Sequence, residues 1–579
     1  MRALIILAAL ITSASSQSLR ASIQRVETNR HLFEFSSECN YESTPKLYVS
    51  STLGNNWNME NGWGLSPEKP FKTIQHAVDN RQPCQTIYIM EGTYRNTYFG
   101  KSLNHQNKIV NLNGVSDLKL LAYSNAKPVL EFDGPAAILG GNFDYPVSNI
   151  EIAGLEIKGP NQSISYEDAM NDRVMKRSFF NGRGIAIWAG HHIFIHDMEV
   201  YHCPASGIRV NKGDYVIISN NKVYSNTWWS SSAESAIVLA ESRHIDENES
   251  IKMKLTHNTV YDNINKIPYY NKNYAWDYSP IGNKDCSSYP ACEQELVDGC
   301  PWECRYGKKT QDYIIDGMGV YVTRNKDTYL HGQMELSYNT AFRNGINGVV
   351  FHRTNRGVVK QNIIYENGLV PRLDRTEQNP QDWHLNLSKS RQSYSGLVIN
   401  NSEDVKLWSN NVSARYEDDY AFKLEVDGSG PPPPLAAGGN NRVCTGLVDT
   451  YLDSVVRYDD NLETCGIKYI EISCGEKCHL IQWPYKMGAS YEPVDAYKNC
   501  ESDCDESDCK AFSLQDDYRP GNEGKRFCFL YKESATPQPD SCANDPFNQS
   551  QPSCSYSTAN GQFFITPTAK LEYNVQDLL

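Results

Sequence analysis

The chain of 579 residues carries 55 Lys and Arg against 69 Asp and Glu, a net charge of −14. That balance excludes a nucleic-acid partner, which needs a basic face, and it disfavours an anionic ligand unless the negative charge lies away from the site. The length leaves room for two domains or more. After the first residues no stretch approaches about 18 consecutive apolar residues, so no transmembrane segment is expected.

In chain order, Arg2, the apolar run Ala3 to Ile11 and the small residues Ala14 and Ser16 read as a secretory signal peptide over 1–16, cleaved before Gln17. The mature protein is therefore expected to be secreted and extracellular. The stretch Thr73 to Asp79 has the pattern of a short amphipathic helix, placed to cap the end of a repeat array, with Cys39 and Cys84 available to staple it.

The middle of the chain repeats itself. NKVYSN from Asn221, NTVYDN from Asn258, NTAFRN from Asn339 and NIIYEN from Asn362 share one pattern, with looser copies from Gly154, Asp197 and Asn410. The shortest intervals, 24 and 23 residues, suit one coil of a β-solenoid, and the longer intervals hold loops inserted at one turn. Asn at a fixed point of each coil predicts a ladder of stacked side-chain amides, and Asn also tolerates the left-handed backbone of a sharp bend. A second motif recurs from Gly184, Gly207, Ala236, Gly319, Gly348, Gly396 and Ala421. Its period-two alternation places Ile185 and Ile187, Ile208 and Val210, Val320 and Val322, and Val349 and Phe351 inside. The fold class is accordingly all-β: a right-handed parallel β-helix over 46–427 with an N-terminal cap helix, followed by a small disulfide-rich module. Four consecutive prolines and a Gly/Ala run mark 428–443 as a linker, and 444–560 as the Cys-rich module.

Ten of the 17 cysteines lie between Cys444 and Cys554, and four between Cys286 and Cys304. Behind a signal peptide such density means disulfides. The odd total leaves one thiol unpaired, and Cys203, inside the repeats, is the expected one. The sequons at Asn161, Asn248, Asn386, Asn400, Asn411 and Asn548 are candidate glycosylation sites.

The segments LYVSSTLGNNW, SPEKPFKTIQHAVDN and TIYIMEGTYR, from Leu47 to Arg95, together with Val115 to Gly134, Gly213 to Leu239 and Asp316 to Val322, resemble pectate-lyase-like right-handed β-helix proteins, including polysaccharide lyases of the pectate lyase and chondroitinase B type. The stretch NCESDCDESDCKAFS to RFCFLY, 499–531, resembles a PAN/apple module, which implies a protein or carbohydrate partner without catalysis. The first resemblance implies a groove beside the outward residues of the second motif. The first outward positions are Ala186, Arg209, Val238, Tyr321, Val350, Val398 and Lys423. The second are Trp188, Asn211, Ala240, Thr323, His352, Asn400 and Glu425. Lys212, Glu241, Arg324 and Arg353 come next, with Arg183, Glu234 and Asp316 just before the strands.

Uronate elimination needs a base and a neutralised carboxylate. Lys212, Arg209, His352 and Arg353 are the candidates for those roles. The resemblance implies Ca²⁺, for which Glu234, Glu241 and Asp316 from neighbouring coils are the oxygen ligands. Trp188 and Tyr321 offer stacking surfaces to sugar rings, and Arg183, Arg324 and Lys423 offer cations. The leading expectation is a lyase acting on an acidic polysaccharide. Its rivals are a non-catalytic glycan-binding or adhesion protein, and an epimerase or hydrolase on the same scaffold.

Overall fold

Three long parallel sheets follow from the period-two apolar pattern once each coil turns three corners. In the computed structural model the described residues are 39–96, 108–166, 168–169, 182–230, 234–267, 314, 316–370, 394–415, 419–426 and 431–458, plus the backbone of five strands between 470 and 565. Sheet I has 11 strands, from Leu47–Val49 to Ala437–Gly439. Sheet II has 11, from Thr93–Arg95 to Val456–Tyr458, and sheet III has ten, from Val110–Asn111 to Leu447–Val448. Each coil runs III to I to II and pairs with the next coil in parallel, giving a right-handed parallel β-helix. Among the described residues no helix is long and apolar enough to cross a membrane.

The register keeps like residues in file. In sheet I, Ile152 pairs with Ile195, Ile195 with Ile218, Ile218 with Leu255 and Leu255 with Leu336, all fully buried. The expected inward pairs of sheet III, from Ile185 and Ile187 to Val349 and Phe351, lie in the same continuous core. Each such side chain contributes about 1.5–3 kcal/mol by leaving water, so the core is a sum of many equal layers. The helix Ile74–Asp79 covers the end of the core with Ile74, Ala77 and Val78, and Thr73 Oγ1 accepts from His76 N at its start. Cys39 and Cys84 form a disulfide beside it, and Cys203 is a buried free thiol.

The asparagine ladder is present and is double. Asn221 Nδ2 donates to Asn258 Oδ1, Asn258 to Asn339, Asn339 to Asn362, Asn362 to Asn410 and Asn410 to Asn441, each at 2.9–3.0 Å. The second Asn of each repeat forms a parallel file: Asn226 donates to Asn263, Asn263 to Asn344 and Asn344 to Asn367 at 2.9–3.0 Å. The left-handed backbone falls one residue before each ladder Asn, at Asn220, His257, Tyr338, Gln361, Ser409 and Asn440. The ladder Asn itself is not the left-handed residue, and its amide points into the coil stack and not out of the bend. Outside sheet II the rings of Tyr201, Tyr224, Tyr261, Phe342 and Tyr365 stack in one file with centroids 4.9–5.1 Å apart.

The longest insertions between coils fall at one corner, between sheet II and sheet III, after Lys158, Tyr261 and Tyr365, with shorter ones at the corner from III to I after Ala240 and Glu425. The corner from I to II is a two-residue bend in most coils, where the ladder leaves no room for an insertion.

The boundary expected at 428–443 is corrected. Ala437–Gly439 pairs with Lys406–Trp408 in sheet I, and Asn441–Val443 pairs with the Asn411–Val412 strand in sheet II. Leu447–Val448 and Val456–Tyr458 add further strands. Asn441 extends the amide ladder, so the chain after the prolines completes another coil, and the helix runs to Tyr458. Beyond it, strands 470–472, 562–565, 511–516, 526–531 and 486–491 form an antiparallel sheet in that order, reaching past residue 560. The Cys-rich segment 499–510 of the PAN/apple-like stretch lies outside the described residues, as do Cys286 to Cys304.

Among the sequons, Asn161 is corrected as a glycan site. It is fully buried, and its Nδ2 donates to Cys203 O at 3.1 Å and Ser225 O at 2.9 Å. A sugar on that nitrogen would break both bonds and overfill the corner. Asn248 lies exposed just before the Ile251–Thr256 strand, its Nδ2 donating only to the Tyr215 hydroxyl at 3.1 Å among the described residues. Asn400 is half-buried with Nδ2 donating to Glu425 Oε2 at 2.7 Å, and Asn411 is half-buried in a strand. Asn386 and Asn548 lie outside the described residues. Peptide mapping of the protein expressed through a secretory pathway should find Asn161 unmodified and Asn248 glycosylated; a glycan on Asn161 would overturn this reading of the corner.

Candidate functional site

The outward row of sheet III is in register as the alternation requires. Ala186, Arg209, Val238, Tyr321, Val350, Val398 and Lys423 lie side by side, and so do Asn211, Ala240, Thr323, His352, Asn400 and Glu425. Outward does not mean exposed, however. Val238 and Ala240 are fully buried, and Ala186, Arg209, Val350 and Val398 nearly so. The row is not an open groove along its length.

Lys212, Glu241, Arg324 and Arg353 are not part of the strand face. All four adopt left-handed backbone, φ 55°, 53°, 56° and 45°, at the corner between sheets III and I. Alternation ends there, and the four side chains form a column on that edge. Glu241 bridges two of them, 3.9 Å from Lys212 Nζ and 3.2 Å from Arg324.

The centre of the site is a buried ion cluster. Glu234 Oε2 lies 3.0 Å from Arg209 Nη1, and the same carboxylate is bonded by Arg183 and by the Ser206 hydroxyl. Burial alone would raise the Glu234 pKa, but the Arg183 and Arg209 charges outweigh it and hold it down at about 2. Arg209 Nε donates to Asn211 Oδ1 at 2.7 Å, which fixes the plane of the guanidinium. The exposed face is Trp188, 38% accessible, with the Arg183 and Arg209 guanidinium carbons 5.5 and 5.9 Å from its ring. Two cations thus share one carboxylate beside a half-open indole, and the buried Asp316 lies on the next coil, where Gly317 N donates to Glu234 O at 3.1 Å.

Three strands along, His352 Nδ1 lies 2.9 Å from both Tyr321 Oη and Thr323 Oγ1, and the two rings are nearly parallel. Burial raises the Tyr321 pKa, so the phenol stays protonated. With a strand spacing of about 4.8 Å, Tyr321 stands roughly 10 Å from Arg209 along the row. Lys423 lies at the far end, 2.9 Å from Asp449 Oδ2.

The three expected calcium ligands do not meet. Glu234 is neutralised by two guanidiniums, Glu241 sits on the corner edge between Lys212 and Arg324, and Asp316 is buried before the Val320–Thr323 strand. Among the described residues no group of three His, Cys, Asp or Glu side chains could hold a metal ion. The residues present therefore do not fit the cation.

Other charged sites carry no signal in the motif pattern. On sheet I the His196 ring joins Glu151 at 3.1 Å and Asp197 at 2.6 Å, and Lys119 lies 2.9 Å from Glu151. Burial would lower the His196 pKa, but its bonds to Asp197 and Glu151 outweigh that and raise it. Its folded pKa exceeds its unfolded one, so its stabilisation is present below the unfolded value near 6.5 and lost as pH rises through the raised value. Denaturant titrations should show the protein losing stability above neutrality, and His196→Asn should flatten that limb. At the corner after sheet II, His202 is buried with neither ring nitrogen hydrogen-bonded among the described residues, and burial lowers its pKa to about 4. Apart from the adjacent His196 and Asp197, the members of the His196 network become neighbours through coil stacking, 32 residues apart for Lys119 and Glu151 and 45 for Glu151 and His196.

No family model matches the chain, and no curated protein matches it. Solved structures similar to it include a pectate lyase at 12% identity and TM-score 0.31, over 69% of this chain and 80% of that one. Another is the DFA-IIIase of Arthrobacter chlorophenolicus A6 in complex with GF2, at 14% identity and TM-score 0.33, over 72% and 89%. A third is the A-module of a mannuronan C-5 epimerase of Azotobacter vinelandii, at 12% identity and TM-score 0.32, over 66% and 90%.

Proposed function

We propose that this chain is a secreted polysaccharide-active protein that cleaves an acidic, uronate-containing glycan by β-elimination on the outer face of sheet III. The observation that carries this reading is the pair Arg183 and Arg209 sharing the single Glu234 carboxylate beside Trp188. A guanidinium suits a sugar carboxylate, and the indole suits a sugar face. In the elimination a base takes the proton next to the uronate carboxylate. The electron pair forms the ring double bond, and the glycosidic oxygen leaves with a proton.

His352 is the base this arrangement favours; it stands three strands from Arg209, so the uronate it acts on is a different unit of the glycan from the one held at Arg183 and Arg209. Arg209 is committed to Glu234, while Lys212 and Arg353 stand at the corner, off the strand face. The Tyr321 hydroxyl beside His352 orients the imidazole. A non-catalytic glycan-binding role is favoured instead by the buried centre of the row at Val238 and Ala240. The C-terminal antiparallel sheet is proposed to dock a protein or carbohydrate partner.

The test incubates the secreted protein with pectin, alginate and glycosaminoglycans, with and without a chelator. New near-ultraviolet absorbance from unsaturated uronate ends is the expected result, and His352→Ala should reduce it about 10²–10⁴-fold. Binding without turnover supports the adhesion reading, and reducing ends without absorbance support a hydrolase. Loss of turnover with the chelator would restore Ca²⁺ to the reaction.

A further inference from the structure

We infer that the turn Asn142–Tyr145, with Phe143 at its tip, forms a second aromatic and cationic subsite for an anionic unit of the same glycan, one coil away from Trp188. This rests on the acidic-glycan reading above. Phe143 is 62% accessible, yet it is not a loose apolar side chain: Lys212 Nζ lies 4.2 Å and the Arg243 guanidinium carbon 5.0 Å from its ring centre. Both cations come from later coils, so the turn reaches along the corner edge. Lys212 and Arg324 meet the carboxylate of Glu241 while Arg243 stands over the Phe143 ring, and the three cations exceed Glu241 and the exposed Asp144 of the same turn by one charge. In a chain of net charge −14 this local excess is a specific arrangement.

The turn is held rigidly. Asn142 Oδ1 accepts from Asp144 N at 2.9 Å and Tyr145 N at 2.7 Å. Gly141 has φ +73°, and a Cβ there would lie 2.0 Å from the Ala189 carbonyl oxygen. The turn therefore packs directly on the residue after Trp188, whose own N–H donates to Gly140 O at 2.9 Å. Trp188 and Phe143 thus present two aromatic platforms on adjacent coils, each flanked by two cations. An aromatic surface with cations at its margin recognises a sugar ring bearing a carboxylate, and rigidity lowers the ordering cost of binding.

The experiment measures affinity of the full secreted chain for oligogalacturonate and oligomannuronate ladders from dimer to octamer. Phe143→Ala should weaken binding of the long oligomers about tenfold and leave the shortest that bind unchanged, and Phe143→Tyr should restore it. Arg243→Gln should give a similar length-dependent loss with a shallower salt dependence. Unchanged affinity at every length, or an equal loss at every length, overturns the subsite while the acidic-glycan reading stands. If the unsubstituted protein binds none of these oligomers, both fall.

Discussion

Replacing Asn339 with alanine should cost about 4 kcal/mol and destabilise the solenoid at its middle. Asn339 is fully buried. Its Oδ1 accepts from Asn258 N at 3.1 Å and Asn258 Nδ2 at 2.9 Å, and its Nδ2 donates to Leu255 O at 2.9 Å and Asn362 Oδ1 at 3.0 Å. Alanine strands two donors of Asn258 in a site closed to water, at about 1–3 kcal/mol each. It also leaves a cavity and interrupts a file in which each amide orients the next. Gln is not expected to rescue it, because the rung length is set by the strand spacing. The exposed Asp327→Ala on the same coil serves as a control and should stay within about 0.5 kcal/mol of the unsubstituted protein. Urea denaturation measures both. Equal midpoints for the two variants would remove the ladder from the account of stability.

Glu234→Gln should produce the second large effect, and its pH dependence separates charge from packing. The substitution leaves Arg183 and Arg209 without their shared anion in a buried setting, where breaking such a pair costs about 3–5 kcal/mol. The Glu234 pKa is lower in the folded chain, about 2, than its ordinary 4.5. Its stabilisation is therefore present above the unfolded value and is lost as pH falls from there through about 2. The shift corresponds to about 3 kcal/mol over that window. The unsubstituted protein should show a steep acid limb between pH 4.5 and 2, and Glu234→Gln should flatten it while lowering stability at pH 7. An unchanged acid limb in the variant would mean that other carboxylates govern the acid transition. Glycan affinity need not follow stability: freeing two guanidiniums adds positive charge beside Trp188, so a surviving folded fraction should bind acidic oligomers at least as well.

The sequence by itself determined the coil. The recurrence of Asn221, Asn258, Asn339 and Asn362, and the alternation that buries Ile185, Ile208, Val320 and Val349, depend on neighbours within a few residues, so they can be read along the chain. The cap helix after Thr73 was legible for the same reason, and the Cys39–Cys84 staple and the free Cys203 from the number and placement of the cysteines. Only the tertiary structure decided three matters. The proline run does not end the helix, because Asn441 completes another rung after it. Asn161 fits the sequon pattern, yet a buried corner consumes its amide. Glu234, Glu241 and Asp316 fit an ion-binding set by residue type, yet Arg183, Arg209, Lys212 and Arg324 reach two of these carboxylates from other coils. A repeat fixes which residues stack, but which charge meets which across coils 25 or more residues apart depends on side-chain reach and burial, and these exist only once the coils have closed on one another.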